Sequence, residues 1–147
     1  MSHFSEMKVD HSQKYESELI AALESVFGEG TVEVHENGDG LYGYTGNNRS
    51  LLGTNSKDYA PPCHLIVRRK NVGSAANDVG YRRTEEGGYV AYVSDYDKKS
   101  NFKSEKRDRV MQDYATRVAE KQLRKQGYSV KRTITSDGVV KLTAVKY

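Results

Sequence analysis

Between Asp78 and Asp97 the chain reads DVGYRRTEEGGYVAYVSDYD. Val79, Tyr81 and Arg83 alternate with their neighbours along one arm, and Tyr89, Ala91 and Val93 along the other. Glu86-Gly87-Gly88 supplies the reversal between them. Period-2 patterning on both sides of a glycine-containing turn predicts two antiparallel strands. The second arm ends at Asp95 and Tyr96, just before the longest helical pattern in the chain. The remaining elements must therefore pack on a sheet that contains this hairpin.

Taken from the start, Phe4, Met7 and Val9 make His3 to Val9 a short opening strand. Asp10 with Gln13 three residues on resembles a capping box and opens a helix. Tyr15, Leu19, Ala22, Leu23, Val26 and Phe27 fall on one face of it, and Gly28 suits its C-terminal cap. Thr31 to His35 reads as a strand, Asn37-Gly38-Asp39-Gly40 as a tight turn, and Leu41 to Tyr44 as a return strand. The stretch 46–62 has loop composition, and a loop of that length in a compact domain is usually functional or mobile. Cys63 to Arg69 is β-rich and apolar enough for a central strand. A second loop, 71–77, precedes the hairpin.

After a polar connection at 98–101, one long helix is expected from Phe102 or Ser104 to Gln126, with Gly127 as its stop. Met111, Tyr114, Ala115, Val118 and Ala119 form its apolar stripe. Tyr128 to Ile134 and Val139 to Val145 close the chain as a hairpin about Ser136-Asp137-Gly138. The fold class is α+β: an antiparallel sheet with two helices on one face. A faint repetition of strand, helix, strand, turn and strand suggests two pseudo-duplicated units.

The 147 residues are one domain's worth of chain, 1–147. An aromatic share of 10% argues against disorder. Cys63 is the one cysteine, which excludes an intrachain disulfide and a multi-cysteine zinc site. No apolar run is long enough to span a bilayer, and MSHFSEMKVD has no apolar signal segment. The expectation is a soluble, cytoplasmic protein without cofactor or metal. The net charge of +3 hides a split. Residues 1–97 hold 9 Lys/Arg against 15 Asp/Glu, a balance of −6, and residues 98–147 hold 14 against 5, a balance of +9. Either the halves attract each other within the fold, or the basic half faces an anionic partner.

Several signatures occur together and in order: MSHFS, Asp78-Val79-Gly80-Tyr81, Gly88-Tyr89-Val90-Ala91-Tyr92-Val93-Ser94-Asp95, Tyr114, Gln126-Gly127-Tyr128-Ser129-Val130 and Asp137-Gly138-Val139-Val140-Lys141-Leu142. Together they resemble the Ycf-thirty-five-like family, hypothetical chloroplast reading frames also catalogued as a domain of unknown function. The resemblance implies cyanobacteria, algal plastids or viruses of those hosts as the source. It implies no activity that can be carried over. The 46–62 loop departs from the family pattern as an expansion, and Tyr96-Asp97 stand where tryptophans are expected after the motif aspartate.

His3, Arg82, Tyr92, Asp95 and Tyr96 are the candidate ligand or partner contacts. Asp95 can accept bonds from a ligand, pair with Arg82 or Arg83, or cap the following turn, and the structural roles are favoured. No His or Cys pair has metal-binding spacing, and Cys63 and His64 point to opposite faces of a strand. GDGLYGYTG reads as a hairpin and its exit, without the strand–loop–helix context of a phosphate loop. The residues thus point to a small non-enzymatic binding or regulatory module whose partner is a protein or an anionic ligand. The alternative is an RNA- or DNA-binding accessory protein using exposed tyrosines with Arg68, Lys121, Arg124 and Lys125. A small hydrolase built on Asp95 and His3 ranks third.

Overall fold

The computed structural model describes residues 3–50, 59–137 and 139–146. Its elements in chain order are β1 (Phe4–Val9), α1 (Glu16–Phe27), β2 (Val32–Asp39), β3 (Cys63–Val67), α2 (Arg69–Val72), β4 (Val79–Arg83), β5 (Tyr89–Ser94), α3 (Asp95–Lys99), α4 (Ser104–Lys125), β6 (Tyr128–Ile134) and β7 (Val140–Lys146). The first five strands form one antiparallel sheet in the order β1-β5-β4-β3-β2, and β6 and β7 form a separate two-stranded sheet. The α+β class holds.

The β4–β5 hairpin lies at the middle of the main sheet, with Arg83 opposite Tyr89 and Gly80 opposite Tyr92. Its turn closes through Thr84 N–H donating to the Gly88 carbonyl at 3.0 Å. Gly87 takes φ +89°, a left-handed conformation that glycine adopts without steric cost. Period-2 alternation then sends Tyr81, Tyr89, Ala91 and Val93 into one core with Leu65, Val67 and Val79. Leu19, Ala22 and Leu23 of α1 and Val110 and Tyr114 of α4 fill the same core, so both long helices cover one face. Burying a leucine there is worth about 2 kcal/mol relative to exposure.

Several local expectations are corrected. The cap before α1 is Ser12 rather than Asp10: its Oγ accepts from Lys14 N–H at 3.2 Å and opens a short 3-10 turn, Gln13–Tyr15. Gln13 instead reaches the β4–β5 turn, its Nε2 donating to the carbonyls of Thr84 and Gly88 at 2.7 and 2.9 Å. The Asn37–Gly40 stretch is no hairpin turn. β2 continues through it with a register irregularity, Gly38 at φ +81°, and pairs Asp39 with Cys63. Leu41–Tyr44 is consequently no return strand. Leu41 is fully buried with Phe4, Ala60, Cys63 and Ile66 in a second apolar cluster. Residues 69–72 and 95–99, expected as strand, loop and connection, are short helices.

The α4 stripe holds at Tyr114 and Val118, which reach the core, and is corrected at its other positions near them. Val110 and Tyr114 are buried, whereas Met111 and Ala115 are exposed. The pseudo-duplication fails, because β2 has no hairpin return and β6–β7 lies outside the main sheet. Of the 46–62 loop, 51–58 lie outside the described residues, as do Met1, Ser2 and the turn glycine Gly138. The loop's described ends are pinned: Ala60 N–H donates to the Arg49 carbonyl at 2.9 Å, and Arg49 N–H donates to the Leu41 carbonyl at 2.6 Å. No helix among the described residues is long and apolar enough to cross a membrane.

Candidate functional site

α4 carries basic residues at helical spacing along the side that turns toward α1 and β6. Arg117, Lys121 and Arg124 recur at i, i+4 and i+7, which stacks them on neighbouring turns of one face. Folding brings Arg132 of β6 beside them. The resulting cleft of about 450 Å³ is lined by Ser17, Glu18 and Ala21 of α1 together with Arg117, Glu120, Lys121, Arg124 and Arg132. Four cationic side chains thus share one concavity with two carboxylates.

The carboxylates act as templates. Glu120 receives Arg124 Nη2 on Oε1 at 3.0 Å and Arg132 Nη2 on Oε2 at 2.9 Å, which sets two guanidinium groups side by side. Arg124 also donates to the Val130 carbonyl at 3.1 Å. Hydrogen bonding from Arg124, ahead of the opposing effect of burial, holds the Glu120 carboxyl below its usual range, and Arg132 adds to it. Glu18 receives Lys121 Nζ at 3.0 Å. Burial would raise the Glu18 carboxyl, but hydrogen bonds from Lys121 and Ser17 outweigh it and hold it low. Arg117 gives Nε to Asp113 at 2.6 Å. The Nη donors of Arg117, and the Nε and second Nη of Arg132, have no hydrogen-bond partner among the described residues. Planar guanidinium groups with spare donors match phosphoryl and carboxylate oxygens in pairs.

Of the four residues grouped as nucleic-acid contacts, only Lys121 and Arg124 line this cleft. Lys125 is exposed on the last turn of α4. Arg68 lies at the β3–α2 junction, where it binds Glu33 at 3.0 Å, Asp39 at 2.6 Å and the buried Asp78 at 2.9 Å. It also packs over the Tyr42 ring. Its charge is spent inside the fold. The halves of the chain attract each other through Lys121 and Glu18, while other ion pairs, such as Arg83–Glu16 and Arg124–Glu120, lie within one half.

Of the second group of candidates, only His3 and Asp95 are brought together, at the start of β1. Asp95 pairs with neither Arg82 nor Arg83: its Oδ1 accepts from Ser5 Oγ at 2.6 Å, and its N–H donates to the His3 carbonyl at 2.7 Å. Arg82 donates to the Pro62 carbonyl, and Arg83 grips Glu16 and Glu36. Tyr92 packs half-buried on the second apolar cluster, and burial pushes its phenol up to about 12. Tyr96 is exposed. The cap of α3 is Ser94, whose Oγ accepts from Asp97 N–H at 3.1 Å. Asp97, fully buried, collects Asn77 N–H, Ser94 Oγ and Asn101 Nδ2, tying the 73–78 segment to α3.

Two further groups bear on chemistry. Glu33, His35 and Asp39 present ligand atoms within 4.8 Å of one another, a set that could hold a metal and that spacing alone did not single out. Arg68 already sits against both carboxylates, so a cation's place there is filled by a guanidinium. Cys63 is buried, and burial pushes its thiol up to about 12, which leaves it unreactive near neutrality.

A protein-family model described as "Protein of unknown function (DUF1257)" matches residues 31–143. The chain belongs to that family. The match includes the β4–β5 hairpin and the α4 and β6 residues of the cleft. No curated protein and no solved structure matches the chain. Membership in DUF1257 brings no assigned activity.

Sequence reasoning missed Arg117, Glu120 and Arg132 as a unit. The i,i+4 spacing of Glu120 with Arg124 and of Asp113 with Arg117 was a readable signal for the helix pairs. Arg132 carried none, because only the fold-back of β6 onto α4 brings it there.

Proposed function

We propose that this DUF1257 chain is a non-enzymatic binding module whose ligand presents a phosphoryl group to the cleft between α1, α4 and β6. The observation that supports this reading is the convergence of Arg117, Lys121, Arg124 and Arg132, two of them with spare N–H donors. A phosphoryl oxygen set can accept from several of these at once without displacing Glu120 from Arg124 and Arg132. The family signatures from Asp78 to Leu142 support a Ycf-thirty-five-like member of cyanobacterial, plastid or viral origin. A cytoplasmic or plastid-stromal site of action, or the host cytoplasm for a viral chain, goes with that reading.

Calorimetric titration with inorganic pyrophosphate tests it. Saturable binding that weakens with added salt is expected, with Arg132→Glu and Arg124→Glu each costing about ten-fold or more in affinity. Binding unchanged by both substitutions would contradict the proposal. Single-stranded RNA run in parallel separates the readings: tight RNA binding without pyrophosphate binding would favour an extended nucleic-acid surface over a discrete anion site.

A further inference from the structure

The main sheet ends at β1 on one side and at β2 on the other. A terminal strand carries backbone donors and acceptors on its outer side that need water or another strand. β2 is unsuited to a further strand: its register breaks between Val34 and Asp39, and Glu33, Glu36 and Asp39 load it with carboxylates. β1 is regular over its six residues, each opposite one residue of β5 from Phe4–Ser94 to Val9–Tyr89.

The outward groups of β1 follow from its pairing. Asp95 N–H donates to the His3 carbonyl at 2.7 Å, which makes His3 and Asp95 a hydrogen-bonded pair in the register of β1 with β5. Hydrogen-bonded and open pairs alternate along an antiparallel ladder. Ser5, Met7 and Val9 therefore turn their backbone groups toward β5, and Phe4, Glu6 and Lys8 turn theirs outward. Glu6 and Lys8 are exposed, and neither side chain has a hydrogen bond or ion pair among the described residues. Met7 and Val9, on the helix-covered face, are only half-buried at the margin of the main core. Arg107 Nη1 meets Met7 Sδ at 3.4 Å, and Met111, one turn further along the same side of α4, is 47% exposed.

Outward groups pair only with outward groups, which limits how two β1 strands can meet antiparallel. Centred on Glu6, the match sets two Glu6 side chains against each other. Centred on Lys8, it does the same with lysine. Centred on Met7, it sets Glu6 of each chain against Lys8 of the other. Opposite charges directly across a strand pair stabilise it, and like charges destabilise it.

We propose that β1 is the interface with a second copy of this chain, paired antiparallel about a two-fold axis at Met7. The two five-stranded sheets then become one continuous sheet. Glu6 and Lys8 of the partner subunit exchange backbone hydrogen bonds with their charges opposed. The two Met7 side chains meet at an open pair, with Cα atoms about 4.5 Å apart. A single six-residue edge is smaller than the interfaces of about 1,200 Å² or more that hold stable dimers. Association is therefore reversible, with a Kd of about 1–100 µM.

Sedimentation velocity of the whole chain at about 1–500 µM tests this, and a concentration-dependent monomer–dimer equilibrium is expected. Glu6→Lys and Lys8→Glu, at exposed positions, each set like charges across the axis and are expected to weaken the dimer about ten-fold. The double variant Glu6→Lys/Lys8→Glu restores opposite charges in the same register and is expected to dimerise as wild type does. Met7→Cys is expected to cross-link the dimer through a disulfide under oxidised glutathione, while Ser5→Cys, which faces Val9 of the partner subunit, is not. A monomer at every concentration would overturn the proposal. So would a dimer that the single reversals leave unchanged, one that the double exchange fails to restore, or cross-linking at position 5 rather than 7.

Discussion

His11 couples the fold to pH, and the direction follows from its surroundings. The unfolded chain takes up a proton at this imidazole below its ordinary value of 6.5, whereas the folded chain resists until about 4. The stabilisation is therefore complete above pH 6.5 and is lost as pH falls through that window, by up to about 3 kcal/mol. Carboxylates held low in the fold, such as Glu16 and Glu33, lose their contribution only below their ordinary value of 4.5. Half-buried His64 is also lowered, chiefly by desolvation, but it is shared by wild type and a His11 variant. Urea melts at pH 7.5 and pH 5 should therefore show a larger loss for wild type than for His11→Phe. Equal losses would mean that His11 is not shielded. At the same scale, Gly80 is where an added Cβ would come within 2.6 Å of Cys63 Sγ and 2.8 Å of Leu41 Cδ2. Gly80→Ala is expected to cost about 1–3 kcal/mol in chemical denaturation, because the Leu41 segment has to lift off the sheet.

At the scale of elements, local patterns were legible and pairing partners were not. The Asp78–Asp97 hairpin followed from its own alternation, since both strands and their turn lie within one short stretch. Asn37-Gly38 carried the same local signal and meant something else. With Asp39 already paired to Cys63, Gly38 serves an irregularity within β2, and Leu41 is drawn into the second apolar cluster. The replacement of Met111 by Val110 in the α4 stripe has a similar origin, as contact with α1 and the sheet selects Val110 while Tyr114 and Val118 keep their expected places. The C-terminal hairpin was read correctly as a hairpin but not as a sheet of its own. Val130 is its buried apolar residue, and Ile134 is 71% exposed. A two-stranded sheet with so little burial is marginal by itself. Amides of β6 and β7 are expected to exchange with solvent far faster than those of β3, β4 and β5. Comparable protection in hydrogen exchange would show that the hairpin is held by more than its contact with α4.

Across the whole molecule, charge is sorted by what each group meets. Arg68 is spent on Glu33, Asp39 and Asp78, and Arg83 on Glu16 of α1 and Glu36 of β2, whereas Arg117, Lys121, Arg124 and Arg132 gather around a solvent-open cleft. The sequence split of −6 and +9 hinted at this division without locating it. Lys121 and Arg124 were legible as a basic helix face, but the cleft needed α1 and β6 folded against that face. The measurement that tests the account most directly is an NMR titration of arginine Nε–Hε and lysine side-chain signals with inorganic pyrophosphate. The account expects saturable shifts at Arg117, Lys121, Arg124 and Arg132, with Arg68 and Arg83 unmoved. Shifts confined to other basic residues, or no saturation at low salt, would contradict it.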